Sequence, residues 1–397
     1  MLILAINCGS SSLKCSLIDS DSNRRSFDAL VENIGTEKCR IVIADAAAQS
    51  MGDCDHDGAM HRVLEELRKH SPDASPEAVA HRIVHGGDRF IEPTVVTDDT
   101  LQALEGLNEL APLHNPPAVA ALRLARKSLP DIPHVAVFDT SFHATLPPHA
   151  YEYALAADVR QRFGIRRYGF HGISHGHVME SVAAHLRKPA EDLRIVSCHL
   201  GNGASVAAIE QGRSVETSMG MTPLEGLVMG TRSGDVDPGV LLHLLHSGTY
   251  DADALDDLLN HQSGLKGLTG TNDLREIERR ADAGEEICKT AIAMYAHRVR
   301  KYIGAYAAVM GGIDVIAFTG GIGENSASMR CRIVHRLEFL GVHLDEQQNR
   351  TAKVGHRQPM ASISTELSRV TLCVVQADEE AEMVRKARAR LRKSARP

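Results

Sequence analysis

The first strongly patterned segment of the chain consists of two short apolar runs on either side of a polar turn. Residues 2–6 are continuously apolar, and residues 13–17 alternate between apolar and polar. A continuous apolar run is typical of a buried strand, and alternation is typical of a strand with one buried face. The pattern therefore predicts a β-hairpin over residues 2–18.

The turn of this hairpin carries groups that bind phosphate. Gly9 permits close approach of backbone N–H groups to an anion, while Ser10, Ser11, Ser12 and Lys14 add hydroxyl donors and one positive charge. The P-loop spacing GxxxxGK[ST] is absent, so phosphate would be held on a hairpin and not on a helix N-terminus. An ordinary hairpin turn rich in serine and glycine is the alternative.

Beyond residue 57 the pattern alternates between helical and extended periodicity. It predicts helices over residues 60–69, 97–110 and 118–128, and strands over residues 79–84 and 134–138. Strands that alternate with helices in this order favour parallel βαβ units.

The second half of the chain repeats the first in outline. When Gly9 is placed over Gly201, a strand, a glycine-centred turn and a second strand align without gaps. A duplicated architecture of two lobes would produce this repeat, with a phosphate-binding hairpin in each lobe. Further on, the pattern predicts helices over 235–246, 285–310 and from 379, and strands over 314–318 and 371–375. On the long helix, Ile287, Ala291, Met294 and Tyr295 are expected to share one face.

Composition narrows the class of protein. The 397 residues suffice for two domains, and the net charge of −7 with only 4% aromatic residues disfavours non-specific binding of nucleic acid. Eight scattered cysteines without a CxxC pair predict free thiols in a reducing compartment. Without a signal peptide or a long apolar run, a cytoplasmic location is expected. The basic tail over 385–397 is interpreted as a solvated helix end, with nucleic-acid binding as the alternative.

Three glycine-rich turns and two arginines are the main candidates for anion binding. The turns follow predicted strands at residues 8–12, 200–204 and 319–326, and they suit separate contacts with a nucleoside triphosphate. Arg82 and Arg232 each lie beside glycines, where a guanidinium can bind a carboxylate or phosphate with two hydrogen bonds. A structural ion pair is the alternative for either arginine.

One aspartate and a histidine cluster complete the candidates. Asp139 follows a predicted strand directly, and ligand-binding groups of α/β proteins are found at that position. A buried, capped aspartate is the alternative. His171, His175 and His177 could suggest zinc, but their spacing lacks the HExxH pattern. A phosphate-facing donor role for one of them is favoured over a metal site.

Motifs across nearly the whole chain resemble those of the acetate kinase family. They are NCGSSSLK, HRIVHGG, PLHNPP, FDTSFH, RRYGFHGISH, HLGNGAS, ETSMGMTPLEGLVMGTRSGDVDPG and TGGIGENS. The resemblance implies an α/β fold, a duplicated two-lobe actin-like ATPase (ribonuclease H-like) with a central nucleotide cleft. It implies an N-terminal lobe over residues 1–141, completed by 376–397, and a C-terminal lobe over 142–375 with the nucleotide site and the dimer interface.

The same resemblance implies a homodimeric enzyme that makes acetyl phosphate and ADP from acetate and ATP, reversibly, with Mg²⁺ or alternatively Mn²⁺. The catalytic residues that it implies are Asp139, His171, Arg232 and Arg82. Acetate would contact Arg82 and an apolar pocket formed by Val84, Leu113, Phe170 and Pro223. The metal would lie near Asn7 and Glu379. The ATP-binding residues that it implies are Lys14, Ser10, Ser12, His199, Gly201, Asn202, Gly203, Asp273, Leu274, Arg275, Gly321, Ile322, Gly323, Glu324 and Asn325. The sequence departs from the family at Ala377 and Asp378, where Thr-Asn is usual.

The chemistry of such a reaction explains the demand for positive charge. A carboxylate with a pKa of about 4.3 is already ionised at neutral pH and needs no base. The obstacle is the attack of an anion on a polyanion, which arginines, Mg²⁺, Lys14 and backbone N–H groups would relieve. Two other functions stay open: a propionate or butyrate kinase, and an ATPase of the actin or Hsp70 type without a small-molecule acceptor.

Overall fold

The computed structural model describes residues 1–44, 46–70, 74–111, 114–356 and 358–394. The chain divides into two compact units. Unit 1 comprises Met1–Phe142 and Asp378–Pro397, and unit 2 comprises His143–Ala377. Among the helices in the described ranges, none is long and apolar enough to cross a membrane.

Unit 1 opens with five strands in succession, followed by an alternation of helices and strands. Its elements before the chain enters unit 2 are β1 (Leu2–Cys8), β2 (Ser12–Asp19), β3 (Arg25–Glu32), β4 (Cys39–Ile43), β5 (Gln49–Gly52), α1 (His56–His70), β6 (Ala78–Ile83), β7 (Thr94–Val95), α2 (Asp98–Glu105), α3 (Asn115–Ser128) and β8 (His134–Phe138).

These strands form one mixed sheet. Within the described residues the order is β5-β4-β3-β2-β1-β6-β8-β7. The strands β1 and β2 pair antiparallel from Leu2↔Asp19 to Cys8↔Leu13, whereas β1, β6 and β8 run parallel. Because parallel strands share one carboxyl edge, the residues that end β1, β6 and β8 lie close together.

The hairpin turn and the helices follow from local chemistry. The Gly9 backbone N–H donates to the carbonyl oxygen of Ser12 at 2.8 Å, which closes the turn between β1 and β2. In α1 the apolar side chains recur with helical spacing, and the buried ones pack against the sheet. The helix α3 begins with Pro116 and Pro117 in its first turn, where a missing N–H costs little.

Unit 2 contains the remaining strands and most of the helices. Its elements are α4 (Pro148–Tyr151), α5 (Ala157–Phe163), α6 (Gly172–Leu186), β9 (Arg194–Leu200), β10 (Ala204–Glu210), β11 (Arg213–Thr217), α7 (Pro238–His246), α8 (Ala252–His261), α9 (Gly264–Thr269), α10 (Leu274–Asp282), α11 (Glu286–Val309), β12 (Val315–Thr319), α12 (Gly320–Asn325), α13 (Ala327–Val334), α14 (Glu346–Thr351), β13 (Met360–Ser362) and β14 (Thr371–Val375). The chain then returns to unit 1 as α15 (Glu379–Ser394), which packs against β1, β6 and β8.

The sheet of unit 2 repeats the topology of unit 1. Its order within the described residues is β11-β10-β9-β12-β14-β13. The strands β9 and β10 form an antiparallel hairpin, and β12 pairs parallel with both β9 and β14. The run β3-β2-β1-β6-β8 of unit 1 therefore corresponds to β11-β10-β9-β12-β14 of unit 2. The duplication predicted from the two hairpins is confirmed at the level of topology.

Local predictions differ from the structure in several places. The third glycine-rich segment was predicted as a turn, but residues 320–325 form the short helix α12. On α11, Ile287 and Met294 are exposed, and the buried face instead contains Cys288 and Ile292 beside Tyr295. The helix α6 was not predicted, because buried residues cover most of its first turns and leave little amphipathic contrast.

Candidate active site

Three polar side chains lie at the carboxyl edge of the parallel strands in unit 1. Asn7 is near the end of β1, Arg82 lies on β6, and Asp139 directly follows β8. The Arg82 guanidinium donates to Asp139 from Nε at 3.2 Å to each carboxylate oxygen and from Nη2 to Oδ2 at 2.6 Å. Its Nη1 donates to Asn7 Oδ1 at 3.2 Å. Residues far apart in sequence thus form one cluster.

The start of α15 adds acidic groups to this cluster. Glu379 is the first residue of the helix, and its Oε2 lies 3.3 Å from Arg82 Nη1. The next residue, Glu380, is buried and accepts from Lys14 Nζ at 2.7 Å. Asp378 forms an ion pair with Arg25. Glu380 was not among the predicted site residues, although the acidic run at 378–380, where α15 begins, was a usable signal.

Burial and mutual charge shift the pKa values of the central pair. Burial raises the pKa of Asp139, which is 1% exposed; Arg82 opposes this rise and Glu379 adds to it. Burial alone would lower the pKa of Arg82, but the nearby carboxylates outweigh it and raise that pKa. Arg82 is therefore cationic at any working pH, and its charge is what keeps a buried carboxylate tolerable.

This cluster has more negative than positive side chains, so it could bind a cation. Three carboxylates, those of Asp139, Glu379 and Glu380, face two cationic side chains, Arg82 and Lys14. Oxygen ligands of this kind are those that Mg²⁺ prefers, and Mg²⁺ commonly binds through one or two carboxylates together with substrate phosphates. Among the described residues, no group of three or more His, Cys, Asp or Glu side chains could hold a metal by itself. The donor set suits an ion shared with a substrate.

Unit 2 contains a second polar cluster, built from histidines. His171 immediately precedes α6 and has a left-handed backbone, with φ of 56°. Its ring stacks on that of His199, with centroids 4.3 Å apart. His199 Nδ1 lies 2.8 Å from Ser174 Oγ, and His171 Nδ1 lies 3.0 Å from Ser205 Oγ. The imidazoles are therefore held by hydroxyl groups of α6 and β10.

Gly203 lies next to both His171 of this cluster and Arg232. A methyl group added at Gly203 would lie 3.5 Å from His171 Nε2 and 3.7 Å from Arg232 Nη1. His171 and Arg232 therefore border the same small space beside the β9–β10 turn. Arg232 donates from Nη1 to the carbonyl oxygen of Pro223 at 3.3 Å, and burial lowers its pKa.

The loop that carries Arg232 is fixed by partly buried polar side chains. Arg167 donates to Glu225 Oε1 at 2.6 Å, and the Tyr153 hydroxyl donates to the other oxygen of the same carboxylate. Further along, Asp235 Oδ1 accepts from the Gly226 backbone N–H at 2.9 Å. No local sequence pattern pairs these residues, so none of them was predicted to position the loop.

Apart from Lys14, Ser10 and Ser12 in unit 1, the residues predicted to bind ATP occupy three segments of unit 2. In the turn Gly201–Gly203, the Asn202 carbonyl accepts from Gly230 N at 2.8 Å, and its side chain accepts from Asn272 at 3.0 Å. Asp273 caps α10, and its Oδ2 forms an ion pair with Nη2 of the exposed Arg275 at 2.8 Å. Leu274, between them, is buried in the core.

The third segment is α12 with residues 321–325. Glu324 Oε1 accepts from Gly320 N at 3.1 Å and from Ala377 N at 3.0 Å. The fully buried Arg330 donates to the Gly323 and Glu324 carbonyl oxygens at 2.8 and 2.9 Å. Arg330 thus stabilises the carboxyl end of this helix. No local sequence pattern predicts this contact.

The four residues predicted for an acetate pocket are placed as follows. Val84 directly follows β6 in unit 1 and is half-buried, and Leu113 lies outside the described residues. In unit 2, Phe170 is buried next to His171, and Pro223 is half-buried beside Arg232. Ser10 is exposed, and Ser12 begins β2 in the first hairpin. The structure thus brings Asn7, Arg82, Asp139 and Glu379 together, and separately His171, His199, Gly203 and Arg232.

The duplicated sheet topology, with clusters of charged and polar side chains at its strand ends, places the chain in the class of actin-like two-lobe ATPases. The Acetokinase family model matches residues 2–385, and the chain belongs to this family. The acetate kinase of Clavibacter michiganensis subsp. michiganensis is 47% identical over 394 residues, which cover 98% of each chain. The crystal structure of Porphyromonas gingivalis acetate kinase matches with a TM-score of 0.91 and 39% identity, over 98% of this chain and 99% of that chain. A propionate kinase from Francisella tularensis matches with a TM-score of 0.91 and 35% identity over the same shares.

Proposed function

We propose that this chain is an ATP:acetate phosphotransferase that forms acetyl phosphate and ADP reversibly. The observation that carries the proposal is the match of the Acetokinase family model to residues 2–385. The cluster of Arg82, Asp139, Asn7 and Glu379 supports it, because anion transfer needs preorganised positive charge beside oxygen ligands for a cation.

In unit 1, Arg82 contacts the acetate carboxylate or the transferring phosphoryl group, and Asp139 holds the guanidinium in place. Asn7 and Glu379 are the residues that would hold Mg²⁺, or alternatively Mn²⁺, together with ATP phosphates; when bound, the ion neutralises phosphate charge. Lys14, Ser10 and Ser12 contribute donors to the phosphates. Their support is the hydrogen bonding around Arg82 and the position of the first hairpin turn.

In unit 2, His171 and Arg232 donate to the equatorial oxygens of the transferring phosphoryl group. Their common border at Gly203 supports this assignment. The nucleotide is assigned to unit 2, with three groups of contacts: His199 with residues 201–203, residues 273–275, and residues 321–325. Of Leu274, only the backbone is available, because its side chain is buried.

The chemical step follows from charge. Acetate is ionised at neutral pH, so its oxygen attacks the γ-phosphorus directly and in line, and the bond to the ADP oxygen breaks with its electron pair leaving on ADP. No proton has to be removed from the acceptor. Arg82, Arg232 and His171 reduce the repulsion between the two anions, and Asp139 orients Arg82 without acting as a base.

Acceptor size is assigned to Val84, Phe170 and Pro223, with Leu113 as a further candidate. One extra methylene changes binding by only about 1–3 kcal/mol, so some turnover of propionate is expected. The 35% identity to a propionate kinase is the reason to test this second acceptor. A smaller side chain in place of Val84 should shift the preference toward propionate.

A homodimer through α7 is part of the proposal. In this helix no residue is buried, and Val240, Leu242 and Leu245 are 47%, 55% and 40% exposed. A second copy of the chain is the partner that would cover these side chains. Leu242→Asp should convert the dimer into a monomer in light scattering, whereas a wild-type protein that is already monomeric would contradict the assignment.

We also infer a cytoplasmic location. All eight cysteines lie within the described ranges and none is paired there, which suits a reducing compartment. Most of these thiols are buried, so free thiols carry little risk of oxidation.

The decisive experiment measures ADP formation by the purified protein with Mg²⁺ and ATP, with and without acetate. Hydroxylamine traps acyl phosphate in the same reaction. Acetate-dependent ADP release matched by acyl hydroxamate supports the proposal, and parallel reactions with propionate and butyrate rank the acceptors. ADP release that is indifferent to every short acid would refute it in favour of an ATPase without a small-molecule acceptor.

A further inference from the structure

Behind His171, unit 2 contains a buried row of hydroxyl and imidazole groups. Ser197 Oγ lies 2.8 Å from His175 Nδ1, and His175 Nε2 lies 2.8 Å from Ser205 Oγ. Ser205 Oγ in turn lies 3.0 Å from His171 Nδ1. Ser197, His175 and Ser205 are completely buried, so water cannot replace any of these hydrogen bonds.

The first link of the row has a defined direction. In the described part of the chain, the structure gives the Ser197 hydroxyl one hydrogen-bond partner, His175 Nδ1. A buried hydroxyl hydrogen without an acceptor is costly, so Ser197 donates and His175 Nδ1 accepts. The hydrogen of a neutral His175 ring is then on Nε2.

His175 does remain neutral. Burial lowers its pKa well below the usual range, and the nearby His143 and His199 rings add to that effect. A neutral imidazole carries one hydrogen and one acceptor nitrogen, so fixing Nδ1 as the acceptor makes Nε2–H a donor to Ser205 Oγ.

The direction then passes through Ser205 to His171. Ser205 Oγ receives the hydrogen of His175, so its own hydrogen points at its other partner, His171 Nδ1. A neutral His171 whose Nδ1 accepts must carry its hydrogen on Nε2. That nitrogen borders the space at Gly203 that Arg232 also borders.

We propose that Ser197, His175 and Ser205 are positioning residues that hold neutral His171 in the tautomer with its hydrogen on Nε2. His171 can then donate to a phosphoryl oxygen without first becoming a cation. The Ser205 hydroxyl and the stacked ring of His199 fix the position of the imidazole, and Arg232 borders the same space at Gly203. The proposal rests on the role of His171 given above.

The test of the tautomer is independent of activity. The full-length protein is labelled with ¹⁵N in its histidine rings, and correlations between ring nitrogens and carbon-bound hydrogens identify the protonated nitrogen. The His171 signals are assigned by their loss in His171→Gln. At a pH where His171 is neutral, we expect hydrogen on Nε2 in the wild type and a mixture of tautomers in Ser205→Ala. Hydrogen on Nδ1 in the wild type, or an unchanged tautomer in Ser205→Ala, would overturn the proposal.

Kinetics provide the second readout. Ser205→Ala should lower kcat by about tenfold to a hundredfold, the scale of one misdirected donor, with the KM values for ATP and acetate changed less than about threefold. Ser205→Thr retains the hydroxyl and should restore most of kcat. Ser214→Ala is the matched control, because it removes a buried serine hydroxyl that lies 2.7 Å from His143 Nδ1, outside the row. Equal losses in Ser205→Ala and Ser214→Ala would contradict the proposal.

The donor role of His171 and the control of its tautomer can be refuted independently. Full activity of His171→Gln would refute the donor role of His171, while the ¹⁵N signals would still decide its tautomer. If Ser205→Ala does not fold, Ser197→Ala removes the hydroxyl at the far end of the row. We expect the His171 tautomer to become mixed in that variant as well, and an unchanged tautomer there would count against the row.

Discussion

Replacing Asp139 by asparagine tests the centre of the unit 1 cluster. The carboxylate is buried and receives hydrogen bonds from Arg82 Nε at 3.2 Å and from Nη2 at 2.6 Å. Asparagine keeps the shape of the side chain but removes its charge. Its NH₂ group must also face a guanidinium N–H, since only one of its two terminal atoms can accept.

The size of the effect can be bounded from the contacts that remain. Removing one partner of a buried ion pair typically costs about 3–5 kcal/mol, because the other charge is left uncompensated. Arg82 still has Glu379 at 3.3 Å and Asn7 at 3.2 Å, so we expect a loss of stability at or below the lower end, about 2–3 kcal/mol. An arginine that is no longer held in place should reduce kcat about 10²- to 10³-fold.

The assay combines initial rates of acyl hydroxamate formation at saturating ATP and acetate with urea unfolding. Asp314→Asn is the matched control. Asp314 accepts from Arg194 Nη2 at 3.1 Å in unit 2, so the variant breaks an arginine–aspartate pair of the same chemistry that is about one-third exposed. This control should lose at most about 1 kcal/mol of stability and no activity.

Two results would refute the reasoning. If Asp139→Asn kept kcat within about threefold of wild type, with unchanged apparent affinity for Mg²⁺, the carboxylate would neither orient Arg82 nor assist metal binding. If Asp314→Asn lost as much activity as Asp139→Asn, the loss would reflect general damage to the sheets and not the cluster.

Three further predictions concern stability and nucleotide binding. Arg330→Met leaves the carbonyl groups at the end of α12 without their guanidinium donors. It should therefore lower the free energy of unfolding, measured in urea, by about 2–4 kcal/mol and raise the KM for ATP. An unchanged KM would show that Arg330 does not influence nucleotide binding. Gly230→Ala should raise the KM for ATP but not for acetate, because its new methyl group would overlap the side chain of Asn202; equal rises for both substrates would contradict this. His81 is buried, and its Nε2 lies 2.9 Å from Nδ1 of His134. Burial lowers the pKa of His81 well below the usual value. Folding therefore disfavours its cation, and the free energy of unfolding decreases as pH falls below about 6.5. His81→Gln should therefore reduce the slope of unfolding free energy against pH by about 1.4 kcal/mol per pH unit below pH 6.5, and an unchanged slope in urea titrations would refute it.

Elements with a strong local signal were predicted well. The strands His134–Phe138 and Thr371–Val375 have the predicted bounds, and the first hairpin agrees to within about a residue. Short apolar runs, a glycine turn and proline in a first helical turn act on immediate neighbours, so they are visible in the sequence. Weakly patterned helices such as α6 were missed for the corresponding reason: their burial is decided by what packs around them.

In the candidate site, too, some residues could be predicted from their neighbours in sequence, whereas their contacts could not. The sequence indicated Arg82 and Asp139 through their neighbours, a glycine pair and a strand end. It gave no sign that Arg82 is bound by Asp139, Asn7 and Glu379 at once, since these residues are 57, 75 and 297 positions away along the chain. Pairing over such distances depends on sheet order and on the return of α15, which no local pattern specifies.

The hairpins, the alternation of helices and strands, the duplicated plan and the family could all be inferred from the order of the amino acids. This was possible because periodicity, turn chemistry and long motifs are properties of consecutive residues. The partners of the charged and polar side chains became visible only in the folded chain. They are the carboxylates around Arg82, the buried Arg330 at α12, and the row from Ser197 to His171. The strength and direction of a hydrogen bond or ion pair depend on distance and burial, and these are set only when distant segments pack together.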